Sequence, residues 1–323
     1  MLKKCVLFTL SANQELGKKV AAALGMELSP VSVKRFPSGE IIAESIETVR
    51  GKNVYIIQST CPPVNENLME LLIFVDSLKR SSAAEINVII PYFGYARQDR
   101  KAKPRQPISA RLVADLLKVS GVTRVVTVDL HAPQIQGFFS CLVDELATAP
   151  LYVATFLQDS HFNTKNLVTV SPDHGGVTRA RKIADGLNTP LAIIDKRRNS
   201  RLEPEVMNII GSVEGKDCLI VDDMIDTAGS ACAAADALIN AGAKSVKIIA
   251  THAVLSDPAF ERLSKSKFNQ IIVSDSIPLP ERFKELNCKV ISLAPMLAAS
   301  IKKIQLGEPL SVVYDMYKVE DHD

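Results

Sequence analysis

The densest chemistry in the chain lies in Cys218–Ser230, CLIVDDMIDTAGS. Four apolar residues run up to two adjacent carboxylates, Asp222 and Asp223. Asp226, Thr227, Ala228, Gly229 and Ser230 follow, small and hydroxylic, ahead of the alanine-rich run Ala231–Leu238, whose residues are strong helix formers. The order predicts a short buried strand over Cys218–Val221, an acidic edge, a small-residue loop and a helix start. The loop's backbone N–H groups and the positive end of the helix suit a phosphate. Paired carboxylates can hold hydroxyls or a hydrated magnesium ion. A plain strand-to-helix turn capped by Asp and Ser has the same order, so this stretch alone does not decide between them.

Other clusters carry related chemistry. Tyr92–Arg100, YFGYARQDR, follows the apolar run Asn87–Pro91 and joins aromatic rings to Arg97, Gln98 and Asp99, a set able to hold an adenine face and phosphate oxygens. Lys101–Pro107 is basic and broken by proline, as a solvated loop or a closing lid would be. Asp129 and His131 end one apolar run, and Asp173 and His174 end another before the pair Gly175-Gly176. A carboxylate or His near a polyphosphate can serve magnesium directly or through water. Asp195-Lys196-Arg197-Arg198 closes a further run with three cations, and Phe36-Pro37-Ser38-Gly39-Glu40 has the composition of a surface turn.

The elements that must position these residues read as alternating strands and helices. Strand-like runs are Cys5–Leu10, Val54–Gln58, Asn87–Pro91, Val125–Asp129, Leu167–Ser171, Leu191–Asp195, Cys218–Val221, Val246–Thr251 and Gln270–Ser274. Amphipathic segments such as Asn67–Lys79, Ala110–Val119 and Val177–Leu187 lie between several of them. This rhythm predicts an α/β fold with mostly parallel sheets flanked by helices. Ala114–His131 aligns without gaps on Ala235–His252, sharing the Gly between helix and strand and the final His. Each copy follows a strand and its loop, which points to two similar domains. Patterning is weakest around Leu146–Asn166, so the expected domains are residues 1–148 and 149–323. Every chemical cluster after the Phe36 turn falls at the carboxyl end of an expected strand, where ligands gather in open α/β sheets.

Composition sets limits. A chain of 323 residues is long for one core. Its net charge of +2, absence of Trp and 5% aromatic content lack the basic excess and stacking platforms of a nucleic-acid binder. No apolar run approaches a membrane span, and Met1–Leu10 is too short in its apolar part for a signal peptide. Six scattered cysteines without CxxC pairs are expected as reduced thiols of a cytoplasmic protein.

Cys218–Ser230 resembles the phosphoribosyl-diphosphate (PRPP) binding motif of the type I phosphoribosyltransferase fold, with Ala228 where the motif usually has Gly. Taken together, FPSGE (Phe36–Glu40), QSTCPPVNENLMELL (Gln58–Leu72), PYFGYARQDRK (Pro91–Lys101), VDLHAPQIQGFF (Val128–Phe139), SPDHGGVTRAR (Ser171–Arg181), IIDKRR (Ile193–Arg198) and VDDMIDTAGS (Val221–Ser230) resemble the ribose-phosphate diphosphokinase, or PRPP synthase, family. The likeness runs over nearly the whole chain and is to its bacterial, phosphate-activated, magnesium-dependent class. The resemblance implies two phosphoribosyltransferase-like domains and diphosphoryl transfer from MgATP to ribose 5-phosphate for nucleotide biosynthesis. It implies ATP binding by Arg97, Gln98 and Asp99, and by Phe36, Ser38, Gly39 and Glu40 from a neighbouring subunit of a homohexamer. It places His131 and Asp173 at magnesium, Lys196 and Arg198 at the transferring group, and Arg198, Asp222, Asp223 and Asp226–Ser230 on ribose 5-phosphate. Inorganic phosphate is the implied activator. The family usually has Asp where this chain has Ser38. A phosphoribosyltransferase, which would not need the Phe36 and Arg97 segments, and a non-catalytic regulatory homologue are the alternatives.

Overall fold

Runs of β-branched and aliphatic residues too short for helices become the strands of two large sheets, whose interior strands are covered on both faces, and of one separate hairpin. A computed structural model describes residues 5–160, 162–197 and 206–318, with the side chains of residues 196, 197, 206 and 207 excepted. The strands are β1 (Cys5–Thr9), β2 (Val31–Arg35), β3 (Ile41–Ser45), β4 (Asn53–Ile57), β5 (Glu85–Ile90), β6 (Arg124–Val128), β7 (Leu142–Leu146), β8 (Leu167–Ser171), β9 (Leu191–Arg197), β10 (Val206–Ile210), β11 (Asp217–Ile225), β12 (Ser245–Ala253), β13 (Phe268–Ser274) and β14 (Cys288–Ile291). The helices are α1 (Gln14–Leu24), α2 (Val64–Arg80), α3 (Ser109–Ser120), α4 (Ala149–Leu157), α5 (Val177–Leu187), α6 (Gly229–Asn240), α7 (Ala259–Ser264) and α8 (Ala294–Leu306).

The chain divides into two units. The first comprises residues up to Ala147 together with Ser276–Pro278 and Ser292–Val313. Its parallel sheet runs β1-β4-β5-β6-β7, and its core joins Phe8, Ile56, Val88 and Val125 to Leu71, Phe74 and Val113 of the covering helices. Phe8 and Phe74 meet edge to face at 5.1 Å. Antiparallel β2 and β3 stand apart as a hairpin packed on α2. The return of α8 to pack on α1 in this unit is invisible to a reading in consecutive halves. It is fastened by Tyr55, whose hydroxyl lies 3.1 Å from Oε1 of Gln305.

The second unit spans Thr148–Asp275, Leu279–Ile291 and the residues from Tyr314 onward. Its sheet runs β10-β9-β8-β11-β12-β13-β14, parallel except for edge strand β10. Val170, Ile194, Ile220 and Ile248 form its core with Ala234 and Leu238 of α6. The stretch that patterns most weakly in sequence holds α4, where Ala149, Leu151, Tyr152, Ala154 and Phe156 are all buried. A helix apolar nearly all round has no stripe to read.

One expectation about the edges fails. The strand expected to stop at Val221 continues to Ile225, so Asp222 and Asp223 lie within β11 rather than after it. β8 pairs with β11 only from Asp217 to Ile220, whereas β12 continues alongside through Ile225. The acidic residues therefore belong to a strand paired on one side only.

Candidate functional site

Both units gather their polar residues at the carboxyl ends of the parallel strands. In the first unit the loop after β5 is clasped by the loop after β4. Thr60 donates its N–H to the Tyr92 carbonyl at 2.9 Å, and its hydroxyl accepts from the Gly94 N–H at 2.6 Å. Approach is so close that a Cβ on Gly94 would lie 2.4 Å from the Thr60 carbonyl oxygen. Thr60 is buried, and Gln58 and Asn67 continue the polar set beneath it. Gln58 accepts from the Ala12 N–H at 3.1 Å and donates to the Asn67 carbonyl at 3.2 Å, while Asn67 donates to the Cys61 carbonyl at 2.8 Å. Buried polar groups this fully connected hold their loops rigidly.

On this frame a cavity of about 310 Å³ opens, lined by Val64, Asn65, Tyr92, Tyr95, Arg97 and Gln98. Tyr95 adopts a left-handed φ of 65° and its hydroxyl donates to Asn65. Arg97 and Gln98 are exposed at the rim. Gln98 Oε1 accepts from the Ser109 hydroxyl at 2.5 Å, tying the rim to the first turn of α3. Asp99 is not on the cavity lining; its Oδ2 accepts from Gln134 at 2.6 Å. His131 is exposed beyond β6, in a loop braced by the Leu130 N–H donating to Glu145 at 2.8 Å.

Phe36–Glu40 forms the tip of the β2–β3 hairpin, with the Phe36 N–H donating to the Glu40 carbonyl at 2.8 Å. Gly39 supplies the turn's φ of 91°. Half of Phe36 is exposed, at 51%. Ser38 donates its hydroxyl to Oε2 of Glu40 at 2.6 Å, so one carboxylate of the tip is already engaged.

In the second unit, Asp223 is 4% exposed, and Arg179 of α5 stands 3.7 Å from its Oδ1. Asp222 folds one oxygen back onto the Asp223 N–H at 2.8 Å. Burial, and next the negative charge of Asp223, push the Asp222 carboxyl up to about 8. Beyond Ile225 the chain turns through Ala228, whose left-handed φ of 59° and ψ of 4° start α6. A left-handed residue followed by helical ones turns successive N–H groups into one concavity suited to an anion. The unsatisfied N–H groups of the first helical turn add to it.

Asp173 turns Oδ1 to the Gly176 N–H at 2.9 Å and is otherwise exposed. Its neighbour His174 bonds through Nε2 to Oδ1 of Asp195 at 3.0 Å, tying the end of β9 to the loop after β8. Lys196 is the penultimate residue of β9, and Arg198 lies outside the described residues. Sequence reasoning missed the Thr60 clasp, the Arg179–Asp223 pair and the His174–Asp195 link. Of these only the clasp left a trace, in the placement of Gly94 between two aromatic residues. All six cysteines are free, and burial pushes Cys61, Cys218 and Cys288 up to about 11, which leaves them unreactive as thiols. Among the described residues no helix is long and apolar enough to cross a membrane.

The family model for the N-terminal domain of ribose phosphate pyrophosphokinase matches residues 5–121, and that for the phosphoribosyl transferase domain matches residues 143–281. The chain is 52% identical over 309 residues to a ribose-phosphate pyrophosphokinase of Fusobacterium nucleatum, covering 96% of this chain and 98% of the relative. It is 52% identical over 314 residues to ribose-phosphate pyrophosphokinase 1 of Streptococcus pneumoniae, covering 97% of each. The crystal structure of phosphoribosylpyrophosphate synthetase from Mycobacterium smegmatis superposes with a TM-score of 0.89 at 42% identity, covering 94% of this chain and all of that one. With relatives of this identity spanning nearly its full length, the chain belongs to the ribose-phosphate pyrophosphokinase family.

Proposed function

We propose that the chain transfers the diphosphoryl group of MgATP to the anomeric hydroxyl of D-ribose 5-phosphate, giving 5-phosphoribosyl 1-diphosphate and AMP. The observation that carries this reading is the presence of two different ligand loops on one chain. One is an aromatic and basic loop with its cavity after β5, and the other an acidic, small-residue anion loop after β11. A phosphoribosyltransferase would use only the second.

In this reading the anomeric oxygen forms a bond to the β-phosphorus, and the bond from that phosphorus to the α–β bridging oxygen breaks. AMP leaves with the electron pair, and the hydroxyl proton passes to the surroundings. Arg97 and Gln98 hold ATP at the cavity rim. Asp99, already bonded to Gln134, supports that rim. Phe36, Ser38, Gly39 and Glu40 reach a neighbouring subunit's nucleotide from the exposed hairpin, which calls for a homo-oligomer, a hexamer by family likeness. Asp222 and Asp223 hold ribose hydroxyls, and Asp226, Thr227, Ala228, Gly229 and Ser230 cradle the 5-phosphate through backbone N–H groups. Lys196 and Arg198 stabilise charge on the transferring group.

Magnesium fits the donor chemistry. Among the described residues no three His, Cys, Asp or Glu side chains converge as a cage, and magnesium is usually held by one or two carboxylates, waters and substrate phosphates. Asp173 supplies an exposed carboxylate, and His131, a softer donor, would act through water. When bound, magnesium would supply neutralisation of polyphosphate charge. Activation by inorganic phosphate and a cytoplasmic location complete the reading.

Phosphorus NMR of the purified protein with MgATP, ribose 5-phosphate and inorganic phosphate tests it. AMP appearing together with a diphosphate on the sugar's anomeric oxygen is the expected result, and omission of phosphate should slow its appearance. A folded protein that binds ATP without turnover would overturn the reading in favour of a regulatory homologue.

A further inference from the structure

A loop that binds an anion through N–H groups must turn its carbonyl oxygens the other way, because C=O and N–H of one planar trans peptide point in opposite directions. The carbonyl of Thr227 shares its peptide with the N–H of Ala228, the left-handed residue that opens the anion concavity. That carbonyl accepts a hydrogen bond at 2.9 Å from Nη1 of Arg262, a residue 35 positions away on α7. The guanidinium also lies against the next residue, since a Cβ on Gly229 would stand 3.1 Å from Nη1.

Arg262 is presented from a fixed support. Ala259 and Leu263 of α7 are buried in the core of the second unit. Phe260 meets Phe283 edge to face at 5.5 Å, and the Arg282 guanidinium lies over both rings while donating to Asp257 at 2.6 Å. A short helix anchored at both ends thus holds one cation against the outer side of the loop.

We propose that Arg262 is a positioning residue for the phosphomonoester end of the substrate, pinning the Thr227 carbonyl outward so that the Ala228 N–H and those after it face the 5-phosphate. The inference rests on the assignment of ribose 5-phosphate to this loop. Arg262 touches the loop from behind and needs no contact with the substrate. Its charge adds to the positive potential of the concavity, and its hydrogen bond fixes a peptide that a neutral side chain without a donor would leave free to rotate.

The test compares the full-length protein with Arg262→Met and Arg262→Lys, measuring steady-state kinetics for both substrates and calorimetric titration with ribose 5-phosphate. Arg262→Met is expected to raise KM for ribose 5-phosphate roughly fivefold, with KM for ATP and kcat within about twofold. Arg262→Lys, which keeps a cation and a donor, is expected to recover most of that loss. An unchanged KM in Arg262→Met would overturn the proposal. So would a fall in kcat, a rise in both KM values and a lower unfolding temperature in both variants, the pattern of a merely structural residue. Wild-type protein that fails to bind ribose 5-phosphate at all would overturn the assignment of the loop itself, an outcome separate from equal binding by wild type and Arg262→Met.

Discussion

The loops after β5 and after β11 occupy the same place in two similar units, each leading from a central parallel strand into a helix and then to the adjacent strand. They are held in opposite ways. The first is gripped from within, by a buried threonine on a neighbouring loop and a glycine that lets two backbones touch. The second is braced from outside, by a guanidinium on its carbonyl, and turns on a left-handed alanine. Their side chains differ accordingly, with aromatic and cationic groups over a cavity in one and carboxylates leading into a bare concavity in the other. One strand–loop–helix frame therefore presents two chemistries, and the loop alone decides which.

The comparison can be broken first at Asp222. Asp222→Asn is expected to lower kcat/KM by roughly a hundredfold or more by removing the ionisable carboxyl proposed to hold the sugar, while leaving ATP binding intact. Its effect on stability runs the other way. Burial and the negative charge of Asp223 hold the Asp222 carboxyl of the folded protein well above the unfolded carboxylate range. Its contribution is fully present below the unfolded value and is lost as pH rises through the folded one. Asn cannot ionise, so thermal unfolding of the variant should exceed wild type by about 3 °C or more at pH 8 to 9, with the gain shrinking toward pH 4. Equal unfolding temperatures across that range would remove the account of a carboxyl kept neutral by burial and Asp223.

Gly94→Ala strikes the other loop. The added methyl meets a backbone oxygen that cannot swing aside, so a loss of roughly 2–3 kcal/mol in stability is expected, with weaker ATP binding and unchanged affinity for ribose 5-phosphate. Weakening of both substrates alike would show that the two loops are not held independently. Smaller still is Ser38→Asp, which replaces a donor to Glu40 by a second carboxylate. A fall in KM for ATP of about threefold is expected, and an unchanged or higher value would discard a nucleotide role for position 38. Ala228→Gly should change stability least. Relief of the left-handed backbone, about 1 kcal/mol, is offset by loss of a buried methyl, about 0.8 kcal/mol, and by the greater freedom of unfolded glycine. Chemical denaturation should find the variant within about 0.5 kcal/mol of wild type.

Much of this was legible because apolar runs stop where chemistry begins. The expected helix Val177–Leu187 matches α5 residue for residue, and the expected strand Leu167–Ser171 matches β8. The clusters at Arg97, Asp173 and Asp226 then fall at strand ends without further assumption. Asp222 and Asp223 were misplaced because the length of β11 is set by how far β12 continues and where β8 stops, which is pairing information absent from a single segment. Strand β2 was invisible because VSVKR is only half-buried and leans on α2 through its hairpin partner. Asp99 could not be seen to turn toward Gln134, nor Arg262 toward Thr227, because both contacts join residues far apart along the chain.

The return of α8 has a consequence for synthesis. The face of α1 that α8 covers, and the Tyr55 hydroxyl that meets Gln305, are made early and stay uncovered until residues 294–306 leave the ribosome. By then every strand of the second sheet has already emerged. Domains usually finish in the order in which they are translated; here the one begun first is closed only after every strand of the other has been made. A nascent chain stalled before residue 294 would therefore leave the α8-facing side of α1 uncovered, so its earlier unit would still be a substrate for chaperones after the later sheet has formed.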